Sequence, residues 1–327
     1  MLRRFSSSVG IICGLLPFSN CPALPGRWPW LAICGQSAPA GQLTGYADVA
    51  ELVCRLQDRR ISEVSGIAAS RLNPGCYYVH NDSGDQPRVY LIDQAGQTRL
   101  TVYLRGAGAL DYEDIAVGPG GQPGTFDVYV ADIGDNLARR PYVTIYRFAE
   151  PRLADQPRQS AEVQPVAYRF RYADGPVDAE ALAIHPRTGD GYIFTKRWEG
   201  GSAVYKLPAP WDSTRETVVA KLPAFDIPGG LPPTRVVTAA DISPDGSRLA
   251  VRCVFGGWEW RLPPETADPD FDRIFQTNPL NLPLPVERQG EAICYSTDGR
   301  TILTIGEGVP AELHALRMTS PDSQPTR

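Results

Sequence analysis

Histidine and closely paired cysteine are scarce in this chain: three histidines in 327 residues, and seven cysteines with no two spaced C-x-x-C. That argues against a zinc centre and against thiol–disulfide chemistry. Runs of about 18 uninterrupted apolar residues are missing too, so no transmembrane span is expected. The net charge is −5 and no basic run occurs, which argues against nucleic acid as a partner. The motifs G-x-S-x-G, H-E-x-x-H and the phosphate-binding loop are absent, leaving serine-hydrolase and nucleotide-switch readings without support. Sustained helical periodicity is absent as well.

What is abundant is turn formers. Glycine and proline each occur 31 times, a composition that suits many short strands. Hydrophobic residues make up 43% of the chain, enough to bury a core. Five segments repeat one pattern: Ser65-Gly66-Ile67-Ala68, Glu113-Asp114-Ile115-Ala116, Glu180-Ala181-Leu182-Ala183, Ala240-Asp241-Ile242-Ser243 and Glu291-Ala292-Ile293-Cys294. Their heads lie 48, 67, 60 and 51 residues apart. Repeats of that length mark stacked or radial architecture.

The expected fold is all-β: a β-propeller of five blades, each a four-stranded antiparallel sheet. A sixth blade would follow if the long interval from 113 to 180 hid a degenerate unit. Asp245-Gly246 and Asp298-Gly299 sit between first and second strands, where a tight hairpin needs positive φ. Fourth strands are expected over 163–170 in the second blade, 217–222 in the third and near Ile274 in the fourth. The last unit ends one strand short, and 51–56 near the N-terminus is expected to complete it. Joining the two ends in one sheet removes an open edge.

The N-terminus reads as an export signal. Arg3 and Arg4 precede an apolar stretch from Val9 to Leu16, and Ser37-Ala38-Pro39-Ala40 has the small-x-small form of a cleavage site. The expected organisation is an export segment over 1–40, one propeller over 41–319 and a tail over 320–327. The protein would then be secreted or periplasmic, and a monomer. Of the cysteines left, Cys54, Cys76, Cys253 and Cys294, three lie in apolar strand runs and read as buried hydrophobes.

First strands of a propeller line its channel, so Ser65, Glu113, Glu180 and Glu291 should converge near one mouth. They could merely cap strand starts. Unpaired buried carboxylates are costly, however, and three in register call for a cation. Oxygen donors without His or Cys point to a hard ion, calcium foremost. The ends of the second strands give another polar series. Asp82 and Asp132 are candidates for aligning a water; Lys196, Arg197 and Arg252, with Asp135 and Asn136, are candidates for binding a small anionic substrate. Ordinary loop chemistry is the alternative reading of that series.

The order Ser, Glu, Glu, variable, Glu at the blade heads resembles the calcium-activated nucleotidase (apyrase) family of five-bladed propellers. In that family a central calcium is held by Ser, Glu, Glu, Ser and Glu, one from each blade. The resemblance implies calcium ligation by Ser65, Glu113, Glu180 and Glu291, and departs at the fourth head, where Ala240 replaces serine. Residues 79–85, 130–135 and 194–197 resemble that family's acidic turn, glycine turn and basic pair. Val64-Ser65-Gly66-Ile67 and Asp178-Ala179-Glu180-Ala181-Leu182 also resemble blade heads of β-propeller phytases and their esterase-like relatives. Two functions are expected from this: a calcium-dependent phosphohydrolase acting on a phosphoanhydride or phosphoester, or a non-catalytic calcium-stabilised propeller binding an extracellular glycan, peptide or protein. An esterase or lactonase on the same acidic axis is a third.

Overall fold

Short apolar runs broken by Gly-rich turns give, among the described residues, 21 strands in five sheets. The computed structural model describes residues 45–319, apart from 157, 224, 232–233, 265–269 and 288. The proposed export segment over 1–40 and the tail over 320–327 lie outside the described residues.

Strand β1 (Glu51–Arg55) comes first in the chain but belongs to the last blade. Blade 1 begins with β2 (Val64–Ala69), β3 (Cys76–Asn81), β4 (Arg88–Asp93) and β5 (Thr98–Leu104), a four-stranded antiparallel meander. Blade 2 starts with β6 (Tyr112–Pro119), β7 (Phe126–Asp132) and β8 (Val143–Ala149). The chain then returns to blade 1, where β9 (Ser160–Val163) pairs parallel to β5, before β10 (Val166–Tyr172) joins β8. Blade 3 holds β11 (Ala179–Ile184), β12 (Gly191–Thr195) and β13 (Val204–Leu207). Next, β14 (Thr217–Val219) pairs parallel to β10 at the edge of blade 2. Blade 4 comprises β15 (Val237–Ile242), β16 (Arg248–Cys253), β17 (Gly257–Arg261) and β18 (Leu280–Leu282). Blade 5 comprises β19 (Gly290–Tyr295), β20 (Thr301–Gly306) and β21 (Glu312–Arg317), closed by β1.

The fold is thus a five-bladed β-propeller, and the N-terminal strand completes the last sheet as expected. The blades are not uniform. The long interval from 113 to 180 holds no sixth blade; it is spent on the detour through β9. The segment expected as one strand over 163–170 is divided between two blades. Residues 217–219 serve blade 2 instead of blade 3, which keeps three strands and a single bridge from Tyr205 to Lys221. Ile274 lies in a 3-10 turn, Phe271–Gln276, capped by the Asp270 side chain, and the outer strand of blade 4 follows it. Apolar content alone did not separate a buried turn from a strand there.

One apolar cluster fills each junction between neighbouring blades. Period-2 alternation divides each sheet between two of these cores: Leu182 and Ile184 pack toward blade 2, Ala181 and Ala183 toward blade 4. The innermost strands β2, β11 and β19 are buried along their whole length. They pack in a closed circle, β2 on β6, β6 on β11, β11 on β15, β15 on β19 and β19 on β2. Among the described residues no helix is long and apolar enough to cross a membrane. Cys54, Cys76, Cys253 and Cys294 are free thiols, the last three buried.

Candidate functional site

Every innermost strand carries a β-bulge at its second residue. Pairing with the next strand skips one position between Val64 and Gly66, Tyr112 and Asp114, Ala179 and Ala181, Val237 and Ala239, and Gly290 and Ala292. The bulged residues are Ser65, Glu113, Glu180, Thr238 and Glu291, one per blade at the same end of the channel. A bulge re-aims its side chain, which is why such irregularities gather beside functional sites.

Four of the five expected heads fall on these bulges. The fourth does not: Thr238, not Ala240, is the equivalent position. The Ala240 amide donates to Asp114 Oδ2 (3.3 Å), as does the amide of Leu182 (2.9 Å), which lies two residues beyond Glu180. Thr238 Oγ1 donates to the Gly290 carbonyl (2.8 Å) much as Ser65 Oγ donates to the Glu113 carbonyl (2.9 Å). Both hydroxyls have used their proton on the following blade and retain lone pairs.

Ser65, Glu113, Glu180 and Glu291 are all buried. Lys196, from the end of β12, reaches into the same cluster and pairs with Glu180 (Nζ to Oε1, 2.7 Å). Burial pushes the Glu180 carboxyl up to about 7 against the pull of Lys196. Burial, then Glu180, pushes Glu291 up to about 8. Glu113 is held well above the carboxylate range by burial and by Glu180, Asp82 and Asp111. Burial works against the charge on Lys196, but Glu180, Glu113 and Glu291 together outweigh it and keep the ammonium ionised. One cation faces several carboxylates.

A second tier sits at the rim. Asp82, Asp111 and Glu113 each offer an oxygen, and the three oxygens lie within 4.8 Å of one another. Burial, then Asp82 and Asp178, lifts Asp111 to about 6; burial also raises Asp82 and Asp178. Gly134 makes this approach feasible. A β-carbon there would fall on Glu113 Oε1 and Asp111 Oδ2, inside any carbon–oxygen contact distance. Gln289 bonds Glu291 and reaches Glu307 at 3.3 Å, tying the fifth blade to the cluster.

The other sequence candidates are dispersed. Asp132 pairs with Arg140 (2.8 Å) and accepts the amides of Leu110 and Asp111. Asp135 receives the Arg140 amide (2.7 Å), while its own amide donates to Asp178 (2.8 Å). Asn136 lies 3.5 Å from Asp111. Asp132 and Asp135 thus brace the loops that carry Asp111 and Asp178. Arg252 is fully buried, pairs with Glu287 (2.6 Å) and packs where a Gly290 β-carbon would stand. Arg197, half-buried, follows Lys196 in the loop that leaves β12, where its carbonyl accepts the Gly200 amide (2.9 Å). Only Asp82 and Lys196 of the rim series meet the axial glutamates. His80 is wholly buried, bonded to the Asn81 carbonyl and pushed down to about 4 by burial, a structural role.

Sequence reasoning missed Asp111, Asp178, Gly134 and Thr238. A signal existed for the first two: Asp111-x-Glu113 and Asp178-x-Glu180 share one spacing at two heads. Comparison with protein-family models gives no match, and comparison with curated proteins gives none either. The arrangement offers one carboxylate or hydroxyl oxygen from each blade and one ammonium, and oxygen donors of this kind are those a hard cation takes.

Proposed function

We propose that the protein is a calcium-dependent phosphohydrolase acting on a phosphoanhydride or phosphoester at the channel mouth. The observation that carries this reading is the convergence of Asp82, Asp111 and Glu113 oxygens within 4.8 Å, beside two further axial glutamates and a single lysine. These five carboxylates against one ammonium leave an excess of negative charge that a divalent cation would offset. Asp82, Asp111, Glu113 and Glu291 would hold the ion, with Ser65 and Thr238 contributing hydroxyls. Bound calcium would supply charge stabilisation at the phosphoryl oxygens and polarise a water. Asp82 would orient that water, and Lys196 would exchange its contact with Glu180 for the substrate phosphate. The apyrase-like order of the blade heads supports the same reading, more closely with Thr238 as the fourth member. Export would deliver the protein to a calcium-rich compartment, where even a weak site fills.

A second reading is a non-catalytic calcium-stapled propeller that binds an extracellular ligand. It is favoured by Arg252, whose guanidinium is spent on Glu287 instead of facing the mouth. Phosphate release from nucleotides and phytate, with calcium and with chelator, separates the two. Calcium-dependent turnover that falls at least about 100-fold in Asp82→Asn supports the hydrolase. No turnover, with a calcium-dependent rise in melting temperature, supports the stapled binder.

A further inference from the structure

Large apolar side chains are exposed unevenly on this molecule. Leu110 and Leu137 lie on loops flanking blade 2, and Trp198 on the loop of blade 3. Leu231 and Phe255 flank blade 4, Val286 and Val309 blade 5. These seven are 37–70% exposed, and every one belongs to a loop that enters a first strand or leaves a second strand. Those loops share the face that carries the acidic cluster. Among the described residues the other four lie elsewhere: Val49, in the bend before β1, and Val166, at the start of β10, toward the opposite face, and Leu52 and Val218 on the outer strands β1 and β14.

We propose that the mouth face docks on an anionic lipid surface, the apolar loop tips entering the headgroup layer around the cation site. Apolar tips distributed over four blades match a planar, yielding surface better than the single pocket that a peptide side chain would fill. The exposed Trp198 ring stacks on the Lys196 ammonium (5.1 Å), and exposed Arg139 follows Leu137 by two residues. Aromatic rings beside cations are the side chains that settle at a membrane–water boundary. Charge supplies the rest. The acidic mouth repels anionic phosphates until a divalent ion sits there, after which ion and headgroup attract. Docking therefore strengthens with calcium, a clause that rests on the cation reading above. For a hydrolase, the substrate class narrows to phosphate esters presented at a lipid surface.

The test is co-sedimentation of the full chain with phosphatidylcholine vesicles, with and without phosphatidylserine, in calcium and in chelator. Leu137→Ser/Phe255→Ser/Val309→Ser is the mouth variant; Val49→Ser/Leu52→Ser/Val218→Ser, on or beside the outer strands, is its control. Expected is calcium-enhanced binding to phosphatidylserine vesicles, weakened at least about tenfold by the mouth variant and unchanged by the control. Calorimetric calcium titration without lipid keeps the two ideas apart. Calcium binding in solution with no vesicle binding, or vesicle binding equal in both variants, overturns docking while sparing the ion site. Vesicle binding sensitive to the mouth variant but indifferent to calcium, with no calorimetric signal, upholds docking and removes the ion.

Discussion

Gly134 and Lys196 are the two residues on which the charge balance at the mouth turns. Gly134 is needed for space, because the atoms a β-carbon would displace are the ends of two carboxylates and not backbone. Gly134→Ala should therefore leave the fold intact and push Glu113 and Asp111 apart. Calcium affinity, measured calorimetrically, should fall about 10- to 100-fold, the range for disturbed ligand supports. An unchanged affinity would take Asp111 and Glu113 out of the ion site. Lys196 plays the opposite part: without an ion, its ammonium is what compensates Glu180. Removing one partner of a buried pair costs about 3–5 kcal/mol. Lys196→Met should lose that much in urea unfolding at pH 8 with chelator, and less at pH 6, where Glu180 can protonate. If the proposed site holds calcium, the ion should return part of the loss, because a ligand of the native state alone stabilises it. Equal stability of variant and wild type in chelator would mean the pair contributes nothing.

At the scale of the element, the bulge at the second residue of each first strand is the unit that repeats. Its spacing made five blades legible, because an axial residue must recur once per sheet. It also produced the error at Ala240. A strand presents the same face every two residues, so Ala-Asp-Ile-Ser mimics a head two positions late. Only pairing with β16, which skips Thr238, reveals the register. Outer strands were harder to read for a related reason. Their partners are chosen by twist and crowding at the rim, so β9 and β14 join neighbouring blades although their own sequences look ordinary. Local pattern identified Asp82 and Lys196 but could not show that Arg252 lies under Gly290, since that depends on contacts across two blades. Asp114, just past one bulge, stitches three strands. Its carboxyl accepts the amides of Ile115, Leu182 and Ala240, on blades 2, 3 and 4. Asp114→Ala would strand these buried donors at about 1–3 kcal/mol each. The variant should melt well below wild type with or without calcium; a calcium-rescued melting temperature would instead make Asp114 part of the ion site.

For the molecule as a whole, the excess of buried carboxylate fixes how stability must change with pH. Burial raises Glu180 to about 7 and Glu291 to about 8, so in chelator the folded state binds protons that the unfolded chain has released. Stability conferred by a raised carboxyl is present at low pH and is lost as pH climbs from the unfolded value toward the folded one. His80 works in the other direction, because burial lowers it to about 4; its contribution grows as pH rises to about 6.5 and is constant beyond. The two trends oppose each other in mild acid, whereas between about pH 6.5 and 8 the raised carboxyls dominate. There the chelated protein should lose up to about 1.4 kcal/mol per pH unit for each titrating carboxyl. Calcium held at the mouth would reverse the dependence, since ligation requires deprotonated oxygens and so strengthens as pH rises. Melting scans at pH 6.5 and pH 8 should therefore show a gap between calcium and chelator that widens with pH. A chelated protein at least as stable at pH 8 as at pH 6.5 would mean that Lys196 alone balances the axis, and the argument for a bound cation would lose its physical basis.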